Sequence, residues 1–490
     1  MNAGKKRFLF VRTFKTLKGG GPVPPLGLLY LGAAIRERFG DGVDVGIIDL
    51  GRMGKAEAAE RVREWRADFV GLSAMSCEAD VLRGFAALAK GTGGGAPVVL
   101  AGGPHAAVAG ARLLDDPNVD VAVIGEAERT VVDFLYASAD GAPLEKVRGI
   151  VFRDAGGKAA ATEPAAPVED LDSLPFPAWD LIDYRGYARC DNWNGALKEK
   201  FYGEILTSRG CPYGCRFCHN IFGKKVRLRS PENVLEELRM LYRNYGFREI
   251  HVVDDIFNVD EERAKRICEL IAGSGMRLSL AFPNGLRADL MTKELVRLLK
   301  KAGTYRIHYG FETASERLQK LIGKNLDVRK AAEAFETTSR AGIMTGAYFM
   351  VGFPEQTRDE IVETIDFAAR SPLDAAYFFK ATPYPGSGFY EEVCGGPGGE
   401  PPESFDDYHF YSAGRSYGAV GADELNELML LAQRKFFFSF RRMWRVFLKT
   451  PRKRHYIRKL PALLAIILQT YLLGALADGK KGGASRVETT

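Results

Sequence analysis

Cysteine is scarce in this chain, with seven in 490 residues, too few and too scattered for a disulfide framework at this length. Four of them, Cys77, Cys190, Cys268 and Cys394, stand singly. The N-terminal stretch MNAGKKRFLFVRTF lacks a cleavable apolar leader and begins a strand-like run at once. The expected setting is therefore reducing and cytoplasmic, where clustered cysteines serve a metal or redox chemistry. No repeat of short fixed period occurs, which excludes a solenoid. Acid is missing from one region: residues 434–477 hold eleven Lys/Arg and no Asp or Glu. The whole chain carries only +6, so the remainder is net acidic. An acidic body with a basic tail excludes a general nucleic-acid binder and points to one local surface for an anionic partner.

What is present is a folded, multidomain chain. Apolar residues make up 46% and charged residues 27%, as in globular proteins, and the length calls for two or three cores. Residues 7–150 alternate apolar β-rich runs (7–13, 43–49, 68–75, 97–103, 119–126) with helical patterns such as 27–40 and 78–90. That alternation predicts a doubly wound, Rossmann-like parallel sheet with ligands at the C-terminal strand ends. RGIVFRDAGGKAAAT (148–162) predicts a hairpin turning at Gly156-Gly157, and EDLDSLPFPAWDLIDY (169–184) a linker anchored by Leu174 to Trp179. A second series follows, with strands expected at 204–209, 249–255, 277–283, 306–312, 344–352 and 375–384. Six βα units make a partial (β/α)6 barrel, too few for a closed eightfold one. The expected boundaries are 1–145 for the first domain, 146–200 for hairpin and linker, 201–390 for the barrel, and 391–490 for a helical tail.

The exception to the cysteine scarcity is SRGCPYGCRFCHN (208–220), with Cys211, Cys215 and Cys218 on a glycine-punctuated loop. A zinc site wants four ligands in a closed tetrahedron, often as two pairs, and no second pair exists. His219 adjoins Cys218, and neighbouring residues rarely direct both side chains at one ion. The C-x3-C-x2-C spacing suits an iron–sulfur cubane with one iron left without a protein ligand. A three-cysteine zinc or redox site is the alternative.

CPYGCRFC, with Phe217 before its third cysteine, resembles the signature of the radical S-adenosylmethionine (radical SAM) enzymes. The resemblance implies that Cys211, Cys215 and Cys218 hold a [4Fe–4S] cluster whose open iron is chelated by SAM. It also implies reductive cleavage of SAM to a 5′-deoxyadenosyl radical, with flavodoxin or ferredoxin as electron donor. By the same resemblance SAM contacts fall on Phe217, on Asp254, Asp255 and Asn258 (ammonium), Arg287 (carboxylate), Glu312 (ribose), and the segment at Gly352 (adenine). Each strand-end residue has the alternative role of capping the following helix.

The preceding α/β domain makes the chain similar to the cobalamin-binding branch of that family, over about residues 7–390. The echoes are PPLGLLYLGAAIRERFG (24–40), GLSAMS (71–76), VLAGGPHA (99–106) and VAVIGEAE (121–128). They imply cobalamin contacts at Ser73, Gly102, Gly103, His105, Gly125 and Glu126, where glycine lets backbone approach a large planar ligand. His105 is equally suited to capping the next helix. The stretch 12–25 contains no histidine, so a lower histidine ligand to cobalt is not expected. A degenerate domain without the cofactor is the alternative.

Two further features stand apart. ATPYPGSGFY (381–390) places Tyr384 and Tyr390 either at a substrate mouth or in a proline-rich exit turn. RKFFFSFRRMWRVFLKTPRKRHYIRK (434–459) interleaves cations and aromatics ahead of an 18-residue uncharged stretch, 460–477. It suggests peripheral contact with anionic lipid, or else helices packed on the barrel. The resemblance as a whole implies methylation of an unactivated carbon through methylcobalamin and the deoxyadenosyl radical, on a hydrophobic or lipid-like small molecule. The alternatives are an oxidative cyclase with the same cofactors and a non-catalytic membrane-tethered sensor.

Overall fold

A computed structural model describes residues 5–14, 22–91, 95–189, 197–219, 221–395, 416–453 and 457. The first sheet is built from β1 (Lys6–Arg12), α1 (Leu26–Phe39), β2 (Val43–Asp49), α2 (Lys55–Trp65), β3 (Phe69–Ser73), α3 (Ala79–Lys90), β4 (Val98–Gly102), α4 (Pro104–Ala109), β5 (Val121–Val123) and α5 (Ala127–Asp140). The strands β1 to β5 pair in parallel in the order β2-β1-β3-β4-β5. The order reverses beside β1, the position at which doubly wound sheets bind ligands. Phe8, Leu9, Phe10 and Val11 are at most 2% exposed, as expected of a central strand covered on both faces.

The hairpin expected near 148–162 is present as β6 (Ile150–Arg153) and β7 (Ala159–Ala161). It extends the same sheet in antiparallel fashion beyond β5. The linker then fastens the two halves. Trp179 is fully buried and meets Phe247 edge-on at 5.1 Å, while the Ala178 N–H donates to the Leu29 carbonyl at 3.2 Å.

The second sheet has six parallel strands in the order β15-β14-β13-β12-β11-β8, an open barrel of the expected strand number. It begins with β8 (Tyr202–Ile205). The single strand expected over 204–209 is divided. Ser208–Arg209 (β9) leaves the sheet and pairs antiparallel with Arg227–Leu228 (β10), which closes the cysteine loop at its base. The series continues as α6 (Pro231–Asn244), β11 (Glu249–Val252), α7 (Glu261–Gly273), β12 (Ser279–Leu286), α8 (Lys293–Lys301), β13 (Thr304–Glu312), α9 (Glu316–Leu321), α10 (Val328–Arg340), β14 (Met344–Val351), α11 (Arg358–Arg370) and β15 (Ala375–Lys380). Every helix from α6 to α11 starts at a Ser, Asp or Thr whose side chain accepts a first-turn N–H: Ser230, Asp260, Thr292, Ser315, Asp327 and Thr357.

After a short α12 (Gly388–Val393), α13 (Ala422–Phe437) and α14 (Phe440–Lys449) complete the described chain. Leu425, Leu428, Ala432 and Phe436 of α13 are buried in the barrel core, and Lys435 pairs with Asp366 of α11 at 2.6 Å. α13, most of which precedes the basic stretch 434–459, thus packs on the barrel. Among the described residues no helix is long and apolar enough to cross a membrane. The uncharged stretch 460–477 lies outside them.

Candidate functional site

The cysteine loop, 210–226, sits at the C-terminal end of the barrel strands, held from several sides. Gly210 has φ +88°, and a Cβ there would stand 2.3 Å from the Lys225 carbonyl oxygen. The Cys211 N–H donates to the Gly223 carbonyl at 3.2 Å, the Cys218 N–H to Cys215 at 3.1 Å, and the Arg216 N–H to Ile322 at 2.9 Å. Gly323, φ +70°, lets the next loop approach, since a Cβ would come within 2.6 Å of the Gly214 carbonyl. Gly210→Ala combines this clash with a left-handed backbone costing about 1–2 kcal/mol. We expect it to lower iron bound per chain after reconstitution, measured by iron and sulfide assay, with little change in helix content.

The three thiols lie in one electrostatic neighbourhood. Burial pushes the Cys218 thiol up to about 11, helped by Cys215, Cys211 and Asp255. Burial also raises Cys215, opposed by Lys324 and Arg287. Three mutually repelling thiols beside two cations are a donor set suited to a group that keeps them as thiolates. Among the described residues no group of three or more His, Cys, Asp or Glu side chains is drawn together as a metal-ion site.

The residues expected to contact SAM divide by geometry. Asp255 is exposed, accepts a hydrogen bond from the Gly210 N–H and influences Cys218. Its neighbour Asp254 is 3% exposed and fully engaged. It accepts from the Thr207 N–H at 2.6 Å, the Thr207 hydroxyl at 2.5 Å and the Ser208 hydroxyl at 2.6 Å. Asp254 thus fastens the strand end leading into the loop. Asn258 is also a fastener: its amide donates to the Arg287 carbonyl at 2.8 Å and accepts the Arg287 N–H at 3.1 Å. The Arg287 guanidinium lies 3.7 Å from the Tyr213 ring centroid and donates to Asp289 and the Asn325 carbonyl, both at 3.1 Å.

Glu312 ends β13 with φ +71°, a strained conformation for a non-glycine residue, and pairs with Lys324 at 2.8 Å. Gly352 follows β14 with φ +88°, and a Cβ there would meet Leu425 of α13 at 2.7 Å. Phe217 packs against an apolar cluster that includes Phe353, Leu318, Ile322 and Phe389. Lys324 is the cation that sequence reasoning missed. It follows α9, a helix not anticipated, and its closeness to Cys215 is set by the Gly323 approach.

The doubly wound sheet contributes a cavity of about 360 Å³ at its C-terminal strand ends. Ser73, Gly102, Gly103, Gly125 and Glu126 all line it, together with Phe10, Leu31 and, from the cysteine loop, Ile221 and Phe222. At Gly125, φ +87°, an added Cβ would meet nothing within 4 Å, and at Gly102 only Val123 at 3.9 Å. This glycine rim leaves room for a broad ligand to reach the backbone. No histidine is among the described residues lining the cavity. His105 does not line it; its Nδ1 lies 3.4 Å from the Ser76 hydroxyl, tying the start of α4 to the preceding turn.

Glu126 joins the two halves. It accepts from Arg209 at 2.8 Å and from Arg227 at 2.9 Å, and Arg209 also donates to Glu128 at 2.5 Å. Both arginines are 4% exposed. Burial pushes the Glu126 carboxyl up, but the Arg227 hydrogen bond and the charges of Arg209 and Arg227 outweigh it and hold the pKa below the usual range. The cavity and the cysteine loop are thereby fixed facing one another. A turn after β15 walls the space: Gly386 lies against His219 and Val108, and the Phe389 N–H donates to the Arg216 carbonyl at 2.8 Å. Tyr384 is half-buried in this turn near Cys77, and desolvation raises its pKa.

Comparison with known proteins agrees with this geometry. Residues 205–368 match the radical SAM superfamily, and residues 14–135 match the B12 binding domain. The chain is 32% identical over 373 residues to an uncharacterized methyltransferase of Pyrococcus horikoshii, covering 75% of this chain and 78% of that one. It is 24% identical over 446 residues to the anaerobic magnesium-protoporphyrin IX monomethyl ester cyclase of Rubrivivax gelatinosus, covering 89% and 78%. In fold it is similar to the radical S-adenosylmethionine methyltransferase TsrM of Kitasatospora setae, solved with cobalamin and a [4Fe–4S] cluster. That likeness has a TM-score of 0.66 at 18% identity and covers 80% of this chain and 78% of that one. A cysteine loop shaped for a cluster, facing a glycine-rimmed cavity on a doubly wound sheet, thus goes with relatives of one kind: the chain belongs to the cobalamin-binding radical SAM enzymes, whose cofactors are a [4Fe–4S] cluster, S-adenosylmethionine and cobalamin.

Proposed function

We propose that this chain methylates an unactivated carbon of a hydrophobic small molecule held between the cysteine loop and the glycine-rimmed cavity. The observation that carries the reading is the Arg209–Glu126–Arg227 bridge, which holds the two cofactor regions on either side of one space. When bound, the cluster with SAM supplies a hydrogen-abstracting radical, and the corrinoid supplies a transferable methyl group. The chain's residues bind and orient. Asp255, rather than the engaged Asp254, takes the SAM ammonium, Arg287 the carboxylate and Glu312 the ribose hydroxyls, and the backbone at Gly352 flanks the adenine. Ser73, Gly102, Gly103 and Gly125 receive the corrin.

Leu26, Leu31, Ile221 and Phe222 give the space an apolar character, which supports a hydrophobic substrate and keeps water from a reactive intermediate. Residues 1–145, 146–200, 201–390 and 391–490 act as corrinoid domain, linker, barrel and tail. A flavodoxin or ferredoxin delivers the electron, and the tail makes peripheral contact with anionic lipid.

Anaerobic reconstitution with SAM, cobalamin and dithionite tests the reading. With substrate supplied, a methylase yields both 5′-deoxyadenosine and S-adenosylhomocysteine. Deoxyadenosine without S-adenosylhomocysteine would favour oxidative cyclisation, the second reading, which the similarity to the ester cyclase over 446 residues supports. Absence of deoxyadenosine would leave only the sensor reading and overturn the proposal.

A further inference from the structure

Three of the four cations of α14, Arg442, Arg445 and Lys449, face the protein, and its most exposed apolar side chains face out. Arg442, 5% exposed, donates to the carbonyls of Leu373 at 3.0 Å, Ala369 at 2.7 Å and Ser371 at 3.2 Å, and to that of Phe436. Arg445 and Lys449 pair with Asp374 at 2.7 and 2.8 Å, a carboxylate whose side chain is 1% exposed. On the other side, Phe440, Met443, Trp444 and Leu448 follow the i, i+3, i+4, i+8 spacing of one helical stripe. They are 79%, 44%, 56% and 53% exposed. Phe437 and Phe438 extend the patch at 45% and 50%.

A helix docked on a globular body normally buries its apolar stripe. Turning α14 to do so would strip Arg442 of its carbonyl partners and leave Asp374 buried without counter-charge, a loss of several kcal/mol. The outward apolar face is therefore held in place.

We propose that this face of α14 seats in the headgroup–acyl boundary of an anionic lipid bilayer, with the helix lying in the membrane plane. Charge complementarity selects the occupant. Arg441, Arg452 and Lys453 rim the patch and are exposed. The sequence continues through RKRHYIRK (452–459) without an acid into the uncharged run 460–477. An apolar stripe bordered by cations matches a surface of negative headgroups over acyl chains. A second copy of this chain would set these cations against their like. The inference names the face that makes the lipid contact proposed above and rests on that contact alone; the reaction does not depend on it.

The test uses the full-length holoenzyme with vesicles of phosphatidylcholine and phosphatidylglycerol at 3:1, against phosphatidylcholine alone. Co-sedimentation with the anionic vesicles is expected, with a blue shift in tryptophan emission that Trp444→Phe removes. Phe440→Glu with Trp444→Glu should weaken binding by about tenfold or more, while deoxyadenosine formation stays unchanged. Undiminished vesicle binding by that double variant would overturn the proposal. So would Trp444 shielded from acrylamide before vesicles are added, which would mean that the chain itself or a second copy already covers the face. Loss of vesicle binding with deoxyadenosine retained leaves the reaction standing, and failure of deoxyadenosine with binding retained does the reverse.

Discussion

Cys215→Ala is expected to abolish 5′-deoxyadenosine formation, with a fall on the order of 10³-fold or more. Cys215 is the central member of the triplet, and its carbonyl accepts the Cys218 N–H at 3.1 Å. Alanine keeps that backbone bond and removes only the sulfur, so the loop should persist while the cluster loses one of its three anchors. Iron and sulfide content and the visible absorbance of the reconstituted protein should fall together with the product. Cys268→Ala is the matching control. That cysteine is 1% exposed on α7, away from the loop, and its loss should cost stability without touching iron content. Deoxyadenosine at the wild-type rate from the Cys215 variant would sink the cluster assignment.

Glu126→Ala is expected to destabilise the protein by about 3–5 kcal/mol, the usual result of removing one partner from a buried charge network. Arg227 would lose its carboxylate, and Arg209 would keep only Glu128. Chemical denaturation followed by far-ultraviolet circular dichroism measures the loss. Because Arg209 immediately precedes Gly210 and Cys211, iron uptake should fall as well. The pH dependence has a definite sign. The folded pKa of Glu126 lies below the ordinary value, so its contribution is present above the unfolded pKa and is lost as pH falls through the folded one. Wild type and variant should therefore converge in stability on acidification below about pH 4.5. A gap that widened toward acid would contradict the depressed pKa.

Much of this architecture is legible in the sequence because local periodicity and turn chemistry agree with the tertiary fold. The strand expected at 43–49 is β2 without adjustment, and the hairpin turns at the expected glycines, with Gly157 at φ +77°. The cysteine loop declares itself by spacing. What escapes are relations set by approach in space. Asp254 and Asp255 are adjacent and chemically identical, yet one is consumed by Thr207 and Ser208 while the other faces the thiols. Alternation along the strand leaves their roles open, because both lie beyond its regular end. Lys324 stands near Cys215 because Gly323 permits two loops to touch, a contact with no periodic signature. The tail is the clearest case. Its stripe is visible as a heptad-like spacing, but which side faces inward depends on Asp374, a buried acid some seventy residues earlier whose need for cations is a tertiary fact.

The salt bridge at Glu126 bears on how such enzymes can be recombined. Residues 126 and 128 belong to the first sheet's last βα turn, whereas 209 and 227 are the two feet of the cysteine loop. A hybrid that grafts another corrinoid module onto this barrel inherits two buried guanidinium groups and must bring its own acids to the same two positions. The unit of exchange is therefore larger than either domain: it consists of one domain together with the charges that its neighbour has been shaped to neutralise.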